Sequence, residues 1–262
     1  LDMRIEEEQT SHKDRGMLTR EEIERYDRQL MMEKIGTEGQ EKLKQAHVFL
    51  AGAGGLGSPI AISLAAAGIG KLRIVDDGLV ELSNLNRQVL YVSGDIGQKK
   101  VDCAKKTLQR LNPHVEVEAI PERMRGDNIG DLVGSCDLII DALDNYETRY
   151  LLNRVAFEKR IPLVHGAVEE FYGQVTTIVP GKTNCLACLF HDAPEQRPWP
   201  VISVTCGIIG SIQANEAIKY ILGIGALLEN RLLILDGLHA KIEELAMERN
   251  PHCDICANGA IR

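Results

Sequence analysis

No apolar run in this 262-residue chain reaches the roughly 18 residues that a membrane-crossing helix needs. The opening stretch, Leu1 to Gly16, is mostly polar and charged. It lacks the apolar segment of a secretory signal, so a cytoplasmic location with no membrane partner is expected. An excess of basic residues is also missing: 30 Lys and Arg stand against 38 Asp and Glu, a formal net charge of −8. That balance argues against nucleic acid as the main partner, because binding a phosphate track needs a basic face. It is compatible with a local basic pocket for a nucleotide. Internal repeats and low-complexity linkers are absent as well. The length then suits one α/β domain over residues 18–262, after a loose polar lead-in at 1–17. A chain of this size needs no disulfide staple. Its seven cysteines, in a reducing compartment, are not expected to pair. Four of them fall in two Cys-x-x-Cys pairs, which points instead to a metal.

The pattern of elements is largely alternating. Thr19 and Glu22 form a capping-box signature for a first helix, and a second short helix is expected near Gly39–Gln45. Strands are expected at 47–51, 71–76, 115–120, 137–142 and 162–167, and helices at 56–67, 98–111 and 145–159. This alternation implies a Rossmann-like, doubly wound, mostly parallel sheet. After Gly166 the alternation stops. A strand at 173–179, a buried helix at 203–222 and strands at 232–235 and 240–246 should extend the sheet in antiparallel fashion, although 240–246 also suits a short helix.

Gly52-Ala53-Gly54-Gly55-Leu56-Gly57 follows a strand and opens a helix. Glycines there let the backbone approach a phosphate, and the helix start supplies free N–H groups. Asp76 ends the second strand, 24 residues after Gly52, where a carboxylate accepts hydrogen bonds from ribose hydroxyls. The pair indicates an adenine nucleotide and leaves NAD and ATP both open. The next segment, Ser83-Asn84-Leu85-Asn86-Arg87-Gln88, with Lys100 thirteen residues beyond Arg87 and Arg28 far upstream, carries three cations and two asparagines. Those suit a triphosphate better than a dinucleotide. Asp144, followed by Asn145, stands just past the fourth strand, where it could hold Mg²⁺ or cap the next helix.

These segments, Arg25-Tyr26-Asp27-Arg28-Gln29, the glycine loop, Asp76, the 83–88 segment, Gly97-Gln98-Lys99-Lys100 and Asp141-Ala142-Leu143-Asp144-Asn145, together with the two late cysteine pairs, resemble the MoeB/ThiF/HesA family over about residues 18–258. These are homodimeric relatives of the ubiquitin-activating enzymes. The resemblance implies an adenylyltransferase that activates the Gly-Gly carboxylate of a ubiquitin-like sulfur-carrier protein with ATP and Mg²⁺, serving molybdopterin, thiamine or thiolation pathways. It also implies that Gly55 contacts the phosphates and Asp76 the ribose. Asn84, Asn86 and Arg87 would line the triphosphate pocket, Lys100 would neutralise it, Asp144 would bind magnesium, and Arg28 would cross the dimer into the other subunit's site. The rival readings are a nicotinamide-dependent oxidoreductase and a non-catalytic module that binds a ubiquitin-like protein.

Cys185-x-x-Cys188 and Cys253-x-x-Cys256 offer four thiolates, the donor set of a closed structural zinc site. A redox dithiol is the alternative, but neither pair opens a helix in a thioredoxin-like unit. Cys103 and Cys136 are expected to be buried small hydrophobes. Some relatives carry a reactive cysteine in the crossover segment. Here that segment, 190–200, has none, so direct sulfur transfer is not expected and any sulfur would come from a separate protein. Cys206 is expected to pack in the core at the start of the late helix, with a catalytic role as the alternative. Trp199 could contact the carrier or pack locally, and His165 is expected to be a hydrogen-bonded core histidine.

Overall fold

A computed structural model describes residues 16–190 and 199–257. The lead-in, apart from Gly16 and Met17, and most of the crossover segment lie outside them. Eight strands form one sheet in the order β3-β2-β1-β4-β5-β6-β7-β8. Strands β1 (His47–Ala51), β2 (Lys71–Val75), β3 (Glu116–Ile120), β4 (Leu138–Asp141) and β5 (Leu163–Glu169) are parallel. Strands β6 (Tyr172–Ile178), β7 (Arg231–Asp236) and β8 (Lys241–Ala246) add to it antiparallel, so the late segment 241–246 is a strand and not a helix. The switch has a local cause. β5 runs into β6 through a tight turn at Glu170, whose φ of 50° is left-handed, and such a turn can only reverse the chain.

The sheet is covered on both faces. One core packs α4 (Gly57–Ala67), α5 (Lys100–Leu111) and the long α9 (Ser203–Leu222) against Val48, Leu50, Leu72 and Ile74. The other packs α7 (Tyr146–Lys159) and the short α6 (Ile129–Val133) against Phe49, Val75, Ile139 and Leu163. Adjacent residues of β1 therefore feed opposite cores, and all of Val48–Ala51 is buried. No helix among the described residues is long and apolar enough to cross a membrane.

The N-terminal region is fastened to this body by polar contacts. In α1 (Arg20–Arg25) the capping box is complete: Thr19 Oγ1 accepts from the Glu22 amide and Glu22 accepts from the Thr19 amide. The buried Glu22 carboxylate also meets Lys44 at 2.7 Å, at the end of α3 (Gly36–Gln45). Buried Tyr26 precedes α2 (Asp27–Leu30), the helix that carries Arg28. Its hydroxyl accepts from Asn112 Nδ2 at 2.8 Å, and the same Nδ2 donates to Ala65 O at 2.7 Å. Asn112 is wholly buried, so its removal strands both partners. Asn112→Ala should lower unfolding free energy by about 1–3 kcal/mol in urea titrations, with the unfolding slope unchanged.

Candidate functional site

The C-terminal ends of the parallel strands open into a cavity of about 460 Å³ that spans the sheet from β2 to β7. Its first end is the glycine loop between β1 and α4. Gly52 has φ +97°, and an added Cβ there would stand 2.8 Å from Ala142 O. At Gly57 a Cβ would come within 2.2 Å of Gly52 O. Both glycines are thus required by the turn itself, while Gly54 and Gly55 face the cavity. Asp76 clamps this loop: Oδ2 accepts from the Ala53 amide and Oδ1 from the Gly78 amide, each at 2.8 Å. It also lines the cavity, beside Arg87, Gln88 and Lys100.

The 83–88 segment divides its labour differently from what its resemblance implies. Ser83, Asn84 and Asn86 lie beside the cavity and do not form its wall. Asn84 is buried and its Oδ1 accepts from the Glu81 amide, capping a single 3₁₀ turn. Ser83 O and Asn86 Oδ1 accept from Arg87 Nη1 at 3.1 and 2.9 Å and so aim that guanidinium. The helix expected from Gln98 starts at Lys100, because Gln98 and Lys99 pair with the 79–80 segment. Lys100 therefore occupies the helix start, facing the cavity.

Past β4, Asn145 rather than Asp144 caps α7, accepting from the Thr148 amide at 2.9 Å. Asp144 is left exposed on the cavity wall, without a hydrogen bond or ion pair among the described residues. Arg28 lies outside its own chain's cavity, with its side chain 89% exposed and Asp27 3.8 Å away.

Beneath the cavity is a charged cluster that single-sequence reasoning did not assemble. Asp141 and His165 are fully buried, and His165 Nδ1 lies 2.7 Å from Asp141 Oδ2. Arg149 Nε stands 3.4 Å from the same oxygen, and Arg149 Nη2 donates to Leu143 O and Gly166 O. Burial opposes the charge on Asp141. The Arg149 charge and hydrogen bonds from His165 and the Leu143 amide nevertheless hold its carboxyl below the usual range. Burial holds His165 below its usual value despite Asp141, so the imidazole is neutral and Nδ1 donates.

The far arm of the cavity, over β5–β7, is built from Ala167, Gly173, Tyr172, Trp199, Val201 and Ile234, so Trp199 belongs to its wall. Cys103 and Cys136 are buried in the two cores as expected. Cys206 is buried too, but α9 brings it to the cavity wall, where a Cβ on Gly55 would stand 2.9 Å from its Sγ. Burial pushes this thiol up, partly offset by Arg87.

Around the short α8 (Leu186–Leu189), the sulfurs of Cys185, Cys188, Cys253 and Cys256 all lie within 4.8 Å of one another. Separations of 3.9, 3.5 and 3.3 Å match a tetrahedral ion with bonds of about 2.3 Å, which spaces its sulfurs by roughly 3.8 Å. Burial, with crowding by the neighbouring sulfurs, pushes the Cys185 and Cys256 thiols up. A bound dication would hold all four as thiolates.

Metal analysis of the purified chain should find about one zinc per chain, and Cys256→Ser should lower both metal content and melting temperature. A second expectation concerns pH. The unfolded chain protonates His165 near pH 6.5 while the folded chain keeps it neutral, so acid favours unfolding as pH falls below about 6.5. His165→Asn should flatten the fall in stability that sets in as pH drops below about 6.5, in urea melts run at several pH values.

The ThiF family matches residues 26–255. A "SAMP-activating enzyme E1" of Haloferax volcanii is 42% identical over 246 residues, covering 92% of this chain and 91% of the relative. A "sulfur carrier protein adenylyltransferase" of Thermus thermophilus is 43% identical over 251 residues, covering 92% and 93%. Among solved structures, Escherichia coli MccB in complex with MccA-N7isoASN superposes with a TM-score of 0.81 at 25% identity, covering 88% of this chain and 74% of that one. The chain belongs to the ThiF family, and it is an adenylyltransferase.

Proposed function

We propose that this chain uses ATP to adenylate the C-terminal carboxylate of a ubiquitin-like sulfur-carrier protein ending in Gly-Gly, as a cytoplasmic homodimer. The observation that carries this reading is the two-ended cavity. Glycine loop, Asp76, Arg87, Lys100 and Asp144 gather at one end, and an arm lined mainly by small, apolar and aromatic residues leads away at the other. The first end suits a nucleotide triphosphate and the second a slender peptide tail. The names of the relatives, a sulfur-carrier adenylyltransferase and an activating enzyme, support the same substrate class.

In this reading a carboxylate oxygen attacks the α-phosphorus beside Gly55. The bond to the β-phosphate breaks and pyrophosphate leaves, with no proton exchanged. Arg87 and Lys100 stabilise the charge that develops on the departing group. Asp144, without a hydrogen bond or ion pair among the described residues, would hold Mg²⁺, which would supply further charge neutralisation. The four cysteines would hold a structural Zn²⁺ away from the reacting atoms. No protein nucleophile is required, and the raised Cys206 thiol is poorly suited to be one. Sulfur would then come from a separate donor protein. A nicotinamide-dependent oxidoreductase would leave Arg87, Lys100 and Asp144 without a shared task, and stabilisation by ATP–Mg against NAD separates the two.

The exposure of Arg28 outside its own chain's cavity supports a role on another copy, and exposed Ile23, Met31 and Met32 lie close to it in sequence as apolar surface that a second chain would cover.

Pyrophosphate exchange into ATP, driven by purified Gly-Gly-tailed carriers, tests the reading. Asp144→Ala and Arg87→Ala should each reduce exchange by about 10²-fold or more. Arg28→Ala should be as inactive, yet mixing it with Asp144→Ala should restore up to about a quarter of wild-type exchange, because half the dimers regain one complete site. An absence of rescue would place Arg28 in its own chain's site.

A further inference from the structure

We infer that Arg149 is a substrate-orienting residue that receives the acyl carboxylate. This rests on the adenylation reading. Arg149 rises from the first turn of α7, and its Nη2 grips Leu143 O just past β4 and Gly166 O on β5. The glycine loop, Asp76, Arg87 and Lys100 belong to the β1 and β2 side of the cavity, whereas Ala167, Gly173 and Ile234 belong to β5, β6 and β7. Arg149 therefore lines the cavity at the junction of its two ends. A carboxylate arriving by the far arm must meet the α-phosphate at that junction.

The second observation is the state of the guanidinium. Arg149 is only 5% exposed, and three of its nitrogens have different fates. Nη2 is saturated by two carbonyls, and Nε faces Asp141 without hydrogen-bond geometry. Nη1 makes no hydrogen bond with the described residues and is not among the sealed polar atoms. The plane is held from the other side by the Tyr146 ring, 5.2 Å from the guanidinium carbon. A buried cation with its plane fixed and one amino edge open is prepared for an anion.

The nearby charges favour a carboxylate as that anion. The triphosphate end already has Arg87 and Lys100, so the guanidinium at the junction is left for the other reactant, whose reacting group is a carboxylate. A hydrogen bond from Nη1 to one carboxylate oxygen leaves the other free to attack phosphorus. That oxygen forms the new O–P bond, the α–β bridging bond breaks, and the electron pair leaves on pyrophosphate.

The test compares a Gly-Gly-tailed carrier with the same carrier ending in a carboxamide, each binding wild-type protein loaded with a non-hydrolysable ATP analogue. The carboxylate form should bind about tenfold tighter or more, as expected for a charge-assisted hydrogen bond. Equal affinity overturns the inference without any variant. Arg149→Met/Asp141→Asn, which removes the buried cation and its counter-charge together, and Arg149→Lys then locate the effect. Either variant, folded and binding ATP with wild-type affinity, should lose the preference for carboxylate, and its KM for the carrier should rise about tenfold. A folded variant that keeps the full preference also overturns it. A wild-type protein that binds ATP but shows no exchange with any carrier fails the adenylation reading instead.

Discussion

A single buried carboxylate, Asp141, organises the centre of this molecule. It closes β4 at the point where the chain must leave the sheet, and it is out of reach of water. An isolated charge in that position would cost far more than the fold can supply, so it dictates its neighbours. Arg149 comes from α7, His165 from β5, and the Leu143 amide from the loop between them. Gln213, on the far side of the sheet in α9, donates to Asp141 O at 2.8 Å. Three elements and the loop that presents Asp144 are thereby referred to one group. The cavity inherits its shape from that arrangement, because Gly52 packs against Ala142, one residue later.

Much of the fold could be read from the chain because its signals are local. The capping box at Thr19, the glycine loop after a five-residue apolar strand, and the stop at Asn112-Pro113 each act within a few residues. The antiparallel turn of the sheet after β5 followed from the missing helix between 167 and 173. The cysteine cluster was legible because Cys-x-x-Cys pairs carry their own geometry. Short pieces such as α6 and the 3₁₀ turns at 82–84 and 93–95 have too few residues to set up a period.

The site was legible in its residue types and less so in their roles. Asn84 and Asn86 are in the expected segment, yet one supports a turn and the other supports Arg87. Polar side chains near a cavity compete between ligand and backbone, and sequence does not record which wins. Asp141, Arg149 and His165 are 8 to 24 residues apart, and only the pairing of β4 with β5 brings them together. Each resembles an ordinary core or surface residue when taken alone. Cys206 was expected in the core and is indeed buried, but the packing of α9 on α4 turns it toward Gly55.

The cysteine cluster gives the two halves of the cavity different dependencies. An ion held there would join residues 185–188 to 253–256 and close the chain between them, including α9, β7 and β8, into a loop. Leu186 N also bonds Asn153 Oδ1 on α7, so the closure is anchored to the body of the sheet. Trp199, Val201 and Ile234 in the arm come from that loop, whereas Ala167, Tyr172 and Gly173, like the glycine loop and its cations, do not. Loss of an ion from that cluster would therefore loosen one wall of the arm first and leave the opposite wall and the glycine loop in place, so the two ends of the cavity would fail in sequence and not together.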